Sequence, residues 1–152
     1  MQQGSNVKQA RRFFETLMAK DLPGWVGLFA EDADMELPFH PPGFHAERHG
    51  RAAIERTMRE AFAVWETVEF TGPVIYETTD PDVVVVETTG DMKLSTGGHY
   101  ANTFIMLFFF RDGEIALWRE YLNPLVLVDA HTGGDAQKLA ELFPDPNEPA
   151  AS

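Results

Sequence analysis

The chain contains no cysteine and only half as many basic as acidic residues, 12 Lys and Arg against 24 Asp and Glu. Without cysteine there is no disulfide framework and no thiolate metal site, and the redox compartment is left open. A net charge of −12 argues against nucleic acid or an anionic membrane as partner, because both demand a positive footprint. Long apolar runs are missing too. No stretch approaches the roughly 18 uncharged apolar residues of a membrane span, and the opening Met-Gln-Gln-Gly-Ser-Asn-Val-Lys lacks the apolar segment of a secretion signal. A cytoplasmic protein is the default expectation. Nor is there an internal repeat, and 152 residues suffice for one ordinary domain with its own core. Residues 1–143 read as that domain, and 144–152 as a flexible tail.

The strongest local signal is the stretch from His99 to Pro124, where two apolar runs flank Arg111-Asp112-Gly113. Asp-Gly between aromatic and β-branched segments marks a hairpin. A three-residue loop with Gly113 in the left-handed position pairs Phe110 with Glu114 and sets Phe104 opposite Glu120. Tyr100, Asn102 and Glu120 then share a face with Phe104, Met106, Phe108 and Trp118. A carboxyl thus sits in apolar surroundings beside a phenol and an amide, which makes this face the expected seat of any chemistry.

Helical spacing of Val7, Ala10, Phe13, Phe14, Leu17 and Met18 predicts a first helix over residues 5–20, with Ser5 as a possible cap. Asp21 and Pro23 open a second, shorter helix whose stripe is Trp25, Leu28 and Phe29. A short strand over 34–39 runs into the proline-rich loop His40-Pro41-Pro42-Gly43-Phe44-His45. From Arg51, the residues Ile54, Met58, Ala61, Phe62 and Trp65 give a third helix. The period then changes to two, and four antiparallel strands follow over 67–77, 82–94, 100–111 and 114–123. Helices first and a meander after imply an α+β domain with helices on one face of a curved sheet.

In the central hairpin the opposite face is apolar as well, with Ile105, Leu107, Phe109, Ile115 and Leu117. A sheet facing water would alternate. A second copy of the chain, packed sheet to sheet as a homodimer, is the expected cover. A short helix carrying Ala136, Leu139, Ala140, Leu142 and Phe143 is the alternative.

These elements carry a resemblance. Residues 12–38, with Asp21-Leu22, Leu28-Phe29 and Asp32-Ala33 at their observed spacing, resemble the opening of the nuclear transport factor 2-like superfamily, which includes ketosteroid isomerases and SnoaL-type polyketide cyclases. Residues 77–81, 100–104, 112–113 and 119–123 are similar to the phenazine-biosynthesis proteins PhzA and PhzB. The resemblance implies a cone-shaped, cystatin-like α+β fold, with three N-terminal helices packed on a curved, mainly antiparallel sheet around an apolar pocket. It also implies dimerisation through the sheet.

Residue by residue, the ketosteroid isomerase base falls on Leu37 and its oxyanion tyrosine on Phe13, so that chemistry is gone, while the second oxyanion donor falls on Asn102. The PhzA/PhzB acid/base glutamate falls on Glu120 and a pocket tyrosine on Tyr100, both retained. The histidine and the substrate-binding arginine of that pattern fall on Thr57 and Trp25. Glu120 and Tyr100 are therefore the expected catalytic residues, and Asn102, Trp25, His40, Thr57, Phe104 and Trp118 the expected substrate contacts. Burial raises a carboxyl pKa toward neutrality, where the group can both take and return a proton. The competing reading has Glu120 paired with Arg56 or Arg59, or lying at the pocket rim.

His40, His45 and His49 crowd one loop, but their spacing matches no helical or tight-turn metal motif. No metal or cofactor is called for, and the loop reads as a lid with His40 or His45 reaching inward. The expected function is a cofactor-independent isomerase or cyclase acting on a hydrophobic cyclic or polyketide-like molecule. Its rivals are a protein of the same fold that binds such a ligand without turnover, and a purely structural dimer domain.

Overall fold

The computed structural model describes residues 2–148. Helix α1 (Gln2–Met18) buries Ala10, Phe13, Phe14 and Leu17, the i, i+3, i+4, i+7 stripe of an amphipathic helix. It begins upstream of the cap expected at Ser5. Asp21 caps α2 (Leu22–Val26), its Oδ1 accepting from Gly24 N at 3.0 Å. The third helix, α3 (Arg51–Val64), ends one residue before Trp65, which opens β3 (Trp65–Glu77) instead of closing the helix.

The first strand, β1 (Phe29–Glu36), starts at Phe29 and so takes a residue expected in α2. Its inward residues are Ala33 and Met35, continued by Leu37, whereas Asp34 and Glu36 point away from the core. Beside it lies β2 (Glu47–His49), a three-residue strand that the sequence did not announce. With β4 (Val83–Leu94), β5 (His99–Arg111) and β6 (Glu114–Tyr121) they form one sheet in the order β2-β1-β6-β5-β4-β3. Only the β1–β6 pair is parallel.

The hairpin forms, but not in the expected register. Asp112 and Gly113 both adopt positive φ, 54° and 80°, making a two-residue turn that pairs Arg111 with Glu114. A bulge between Phe109 and Phe110 shifts the ladder once more, so Glu120 lies opposite Met106 and not Phe104. Two single-residue shifts restore the original parity, and Glu120 keeps the face expected for it. The bulge does move Ile115: it pairs with Phe110 and is fully buried, not on the outer face.

The inner face of the sheet carries the core. Phe13 packs against Phe108 and Trp118 at ring separations of 4.8 and 5.0 Å, and Phe14 against Phe70 at 5.0 Å. At Gly90 the rings of Phe70 and Phe104 close over the backbone so tightly that a Cβ would come within 3.0 Å of both. Two further helices follow the sheet. Asn123 caps α4 (Pro124–Thr132) through Leu125 N, with Pro124 in the first turn, and Asp135 caps α5 (Ala136–Leu142).

Neither C-terminal helix reaches the outer face. His131 of α4 meets the inward ring of Tyr100 at 4.9 Å, and Phe143 just beyond α5 stacks on Phe44 at 5.9 Å. The alternative cover for Ile105, Leu107, Phe109 and Leu117 is thus spent on the inner side. Beyond α5, residues 144–148 return along β2: Pro146 O accepts from Arg56, and Asn147 bonds both Glu47 O and His49 N. Residues 149–152, the rest of the expected tail, lie outside the described residues.

Candidate active site

The concave face of the sheet and the helices over it enclose a cavity with walls of Met35, Leu37, Phe70, Met92, Phe104, Met106 and Trp118. Leu122, Leu127, Phe44 and Phe143 line it as well. Apart from the indoles of Trp65 and Trp118, its polar side chains are those of Glu120, Arg48, Thr57 and Tyr100. A few convergent polar groups in an apolar pocket are the ordinary anatomy of a small-molecule site.

Glu120 enters from β6 because residues alternate strictly beyond the bulge, placing Trp118 and Glu120 inward and Arg119 and Tyr121 outward. Glu120 is 8% exposed, and its carboxyl bonds to no described residue. Burial, opposed by the charge of Arg48, pushes its pKa up to about 8. The arginines proposed as its structural partners are engaged elsewhere: Arg56 donates to Pro146 O and Arg59 pairs with Glu55 at 2.8 Å.

Tyr100 lies almost fully buried at the same face. Burial and the neighbouring Glu120 hold its phenol protonated. Its oxygen accepts from Asn102 Nδ2 at 2.9 Å, which leaves the O–H free to donate. The same Asn102 amide donates to Asn123 O, while its oxygen accepts from Thr103 N and Asn123 N. Asn102 does not line the cavity. Its hydrogen-bonding capacity is spent on orienting Tyr100 and the entry to α4, so it positions and does not contact a ligand.

His131 adds a third layer. Its Nε2 accepts from Trp65 Nε1 at 3.0 Å, so Nδ1 carries the proton and donates to Leu127 O at 2.9 Å. Burial lowers its pKa, and the ring stands neutral between Tyr100 and Phe143.

Of the six expected contacts, Thr57, Phe104 and Trp118 line the cavity, and Asn102, Trp25 and His40 do not. Trp25 is sealed in an aromatic cluster with Phe13, Phe29 and Trp118, because the stripe of α2 faces the core under α1 and not the pocket. His40 is exposed, with Nδ1 beside Pro41 O, since the chain turns at Pro41 and sends Phe44 inward instead. The other loop histidines point to separate carboxylates: His45 to Asp145 at 3.8 Å, and His49 to Asp34 and Glu47 at 3.3 Å each. Among the described residues no cluster of three such side chains could hold a metal ion.

Arg48 was not foreseen. It is the inward residue of β2, 2% exposed, with Nε donating to Thr57 Oγ1 at 3.3 Å and Nη1 donating to His45 O. Its guanidinium also covers the Phe44 ring at 4.9 Å. Desolvation lowers its pKa to about 10, so it remains charged at neutral pH. The only signal in the sequence was the Glu-Arg-His alternation before Gly50, too short to be read as a strand.

The fold is that of a SnoaL-like domain. Residues 10–118 match that family, and the chain belongs to it. The chain is 38% identical over 117 residues to an uncharacterized PhzA/B-like protein of Pseudomonas aeruginosa, spanning 76% of this chain and 82% of the relative. A candidate isomerase from Bacillus subtilis superposes with a TM-score of 0.82 at 30% identity, over 89% of this chain and 97% of the other. A phenazine biosynthesis-related protein of Pseudomonas aeruginosa shares the fold at 0.75 and 23% identity, over 85% and 82% of the two chains. The nuclear transport factor 2-like architecture implied by the sequence motifs is therefore the one observed.

Proposed function

We propose that the protein is an isomerase- or cyclase-type enzyme that moves a proton on a hydrophobic cyclic or polyketide-like small molecule, with Glu120 as the acid/base. The observation that carries this reading is a buried carboxyl without a hydrogen-bond partner among the described residues, facing an apolar cavity. In its ionised form Glu120 takes an acidic C–H proton; in its protonated form it returns that proton to another atom of the same molecule. The Tyr100 O–H donates to the oxygen on which charge develops meanwhile, and Asn102 fixes the direction of that donor. Nothing in the sequence of steps requires a cofactor, because the proton taken is the proton returned.

Support from the comparisons is general: SnoaL-like family membership and a relative described as a candidate isomerase both fit such chemistry. The test uses 2-tetralone, an apolar cyclic ketone with exchangeable α-hydrogens. Wild-type protein should accelerate deuterium incorporation at its α-carbon, and Glu120→Gln should lose that acceleration by about 10²-fold or more. Binding of tetralone without acceleration would favour the alternative, a non-catalytic binding protein of the same fold.

The reading also includes a homodimer. All five helices lie on the inner side, and the outer face leaves Ile105, Leu107, Phe109 and Leu117 half-buried beside exposed Val74 and Tyr76. A second copy, packed sheet to sheet, is the proposed cover.

A further inference from the structure

A buried guanidinium ordinarily has a carboxylate beside it, since an uncompensated charge in an apolar interior is costly. None of the ion pairs among the described residues involves Arg48. Two of its nitrogens are held by Thr57 and His45, and Nη2 bonds to no described residue while the side chain lines the cavity. Thr57 is itself fixed, because its hydroxyl donates to Ala53 O at 3.0 Å and accepts from Arg48 with a lone pair. The arginine is thus held from behind by one helix and one loop, with donors left over.

We infer that the cavity is built for a ligand that carries one carboxylate on an otherwise apolar body, with that carboxylate seated against Arg48. This rests on the reading of the cavity as the ligand site and adds the class of molecule that fills it. The charges around the guanidinium support it. Glu120 from β6 is the principal opposing charge, yet burial keeps it largely protonated at neutral pH. Tyr100 from β5 and His131 from α4 are neutral. Asp145, beyond α5, also acts on Arg48, but it does not line the cavity and sits 3.8 Å from His45. An apolar cavity with one net positive charge at neutral pH selects an apolar monoanion, and a planar guanidinium favours a carboxylate among such anions.

The ligand pair 2-naphthoate and 2-naphthamide, equal in shape and different in charge, tests this by quenching of Trp65 and Trp118 fluorescence. Wild-type protein should bind naphthoate at least about ten-fold more tightly than naphthamide, and Arg48→Met should abolish the preference while still binding naphthamide. Equal binding of the two by wild-type protein, binding of neither, or a preference that survives in Arg48→Met overturns the inference. A second arm does not depend on the folding of that variant. Naphthoate affinity for wild-type protein should fall as pH rises through about 8, where Glu120 ionises and cancels the charge of Arg48; in Glu120→Gln this fall should be absent. A fall of equal size in both proteins also overturns it. Tetralone is uncharged, so naphthoate discrimination can fail while tetralone exchange succeeds, or the reverse, and the two readings are judged separately.

Discussion

Arg48 and Glu120 face one apolar cavity from strands β2 and β6, and each is the principal opposing charge acting on the other. Burial raises the Glu120 pKa and Arg48 lowers it, and burial wins. Removing the cation leaves burial unopposed. Arg48→Met should therefore move the Glu120 titration above about 8, read as an alkaline shift in the midpoint of its side-chain carbon resonance. A midpoint unchanged in the variant would mean that the two groups do not sense each other.

Glu120 also makes stability depend on pH in a direction opposite to an ordinary salt-bridged carboxylate. Its folded pKa, about 8, lies above the unfolded value of 4.5, so the native state holds a proton that the unfolded chain releases. The contribution is fully present below pH 4.5 and is lost as pH rises through about 8. At pH 7 the loss is on the order of 3 kcal/mol. Urea unfolding of Glu120→Gln should show a variant close to wild type at low pH and clearly more stable at pH 7 to 8. Parallel stability curves for the two proteins would contradict a buried, raised carboxyl.

Tyr100 and Asn102 should separate by readout. Tyr100→Phe removes the free O–H but little volume, and should slow tetralone exchange by about 10²-fold while costing about 1 kcal/mol of stability, because Asn102 Nδ2 loses an acceptor. Asn102→Ala leaves the backbone of Asn123 and Thr103 without its partner and should cost about 2 kcal/mol of stability. It should also slow exchange, because the tyrosine loses its orientation. An Asn102→Ala protein that is destabilised yet exchanges at the wild-type rate would reduce Asn102 to a structural residue.

The outer face of the sheet gives a prediction about assembly. Sedimentation of the wild-type protein should give a dimer, and Leu107→Glu, placed mid-strand on that face, should give a folded monomer. A wild-type monomer would remove the second copy as the cover.

What the sequence revealed and what it hid divide along physical lines. Period-two alternation placed Tyr100, Asn102 and Glu120 on one face although the assumed turn was wrong, because a two-residue turn and a bulge each shift the ladder by one. Face parity survives an even shift; identity of the cross-strand partner does not. The bulge itself, and the inward Ile115 that follows from it, had no signal in a run of uniformly apolar residues. The resemblance put Trp25 among the substrate contacts, but its side chain joins the aromatic core of Phe13 and Phe29 instead. Arg48 was hidden for a different reason. Arginine is usually exposed, and its burial depends on a three-residue strand whose pairing with β1 is a tertiary fact. Helix α4 went unnoticed because Leu125-Val126-Leu127-Val128 is apolar all round and shows no helical period, although Asn123-Pro124 was a legible start.

The most direct test is the titration of Glu120 itself, by carbon-13 NMR of the glutamate side chains with Glu120→Gln to assign the resonance. The expected result is a midpoint close to 8, in the range where one group can accept and return a proton at neutral pH. A midpoint near the ordinary 4.5 would contradict a desolvated carboxyl in the cavity, and with it the assignment of Glu120 as the acid/base.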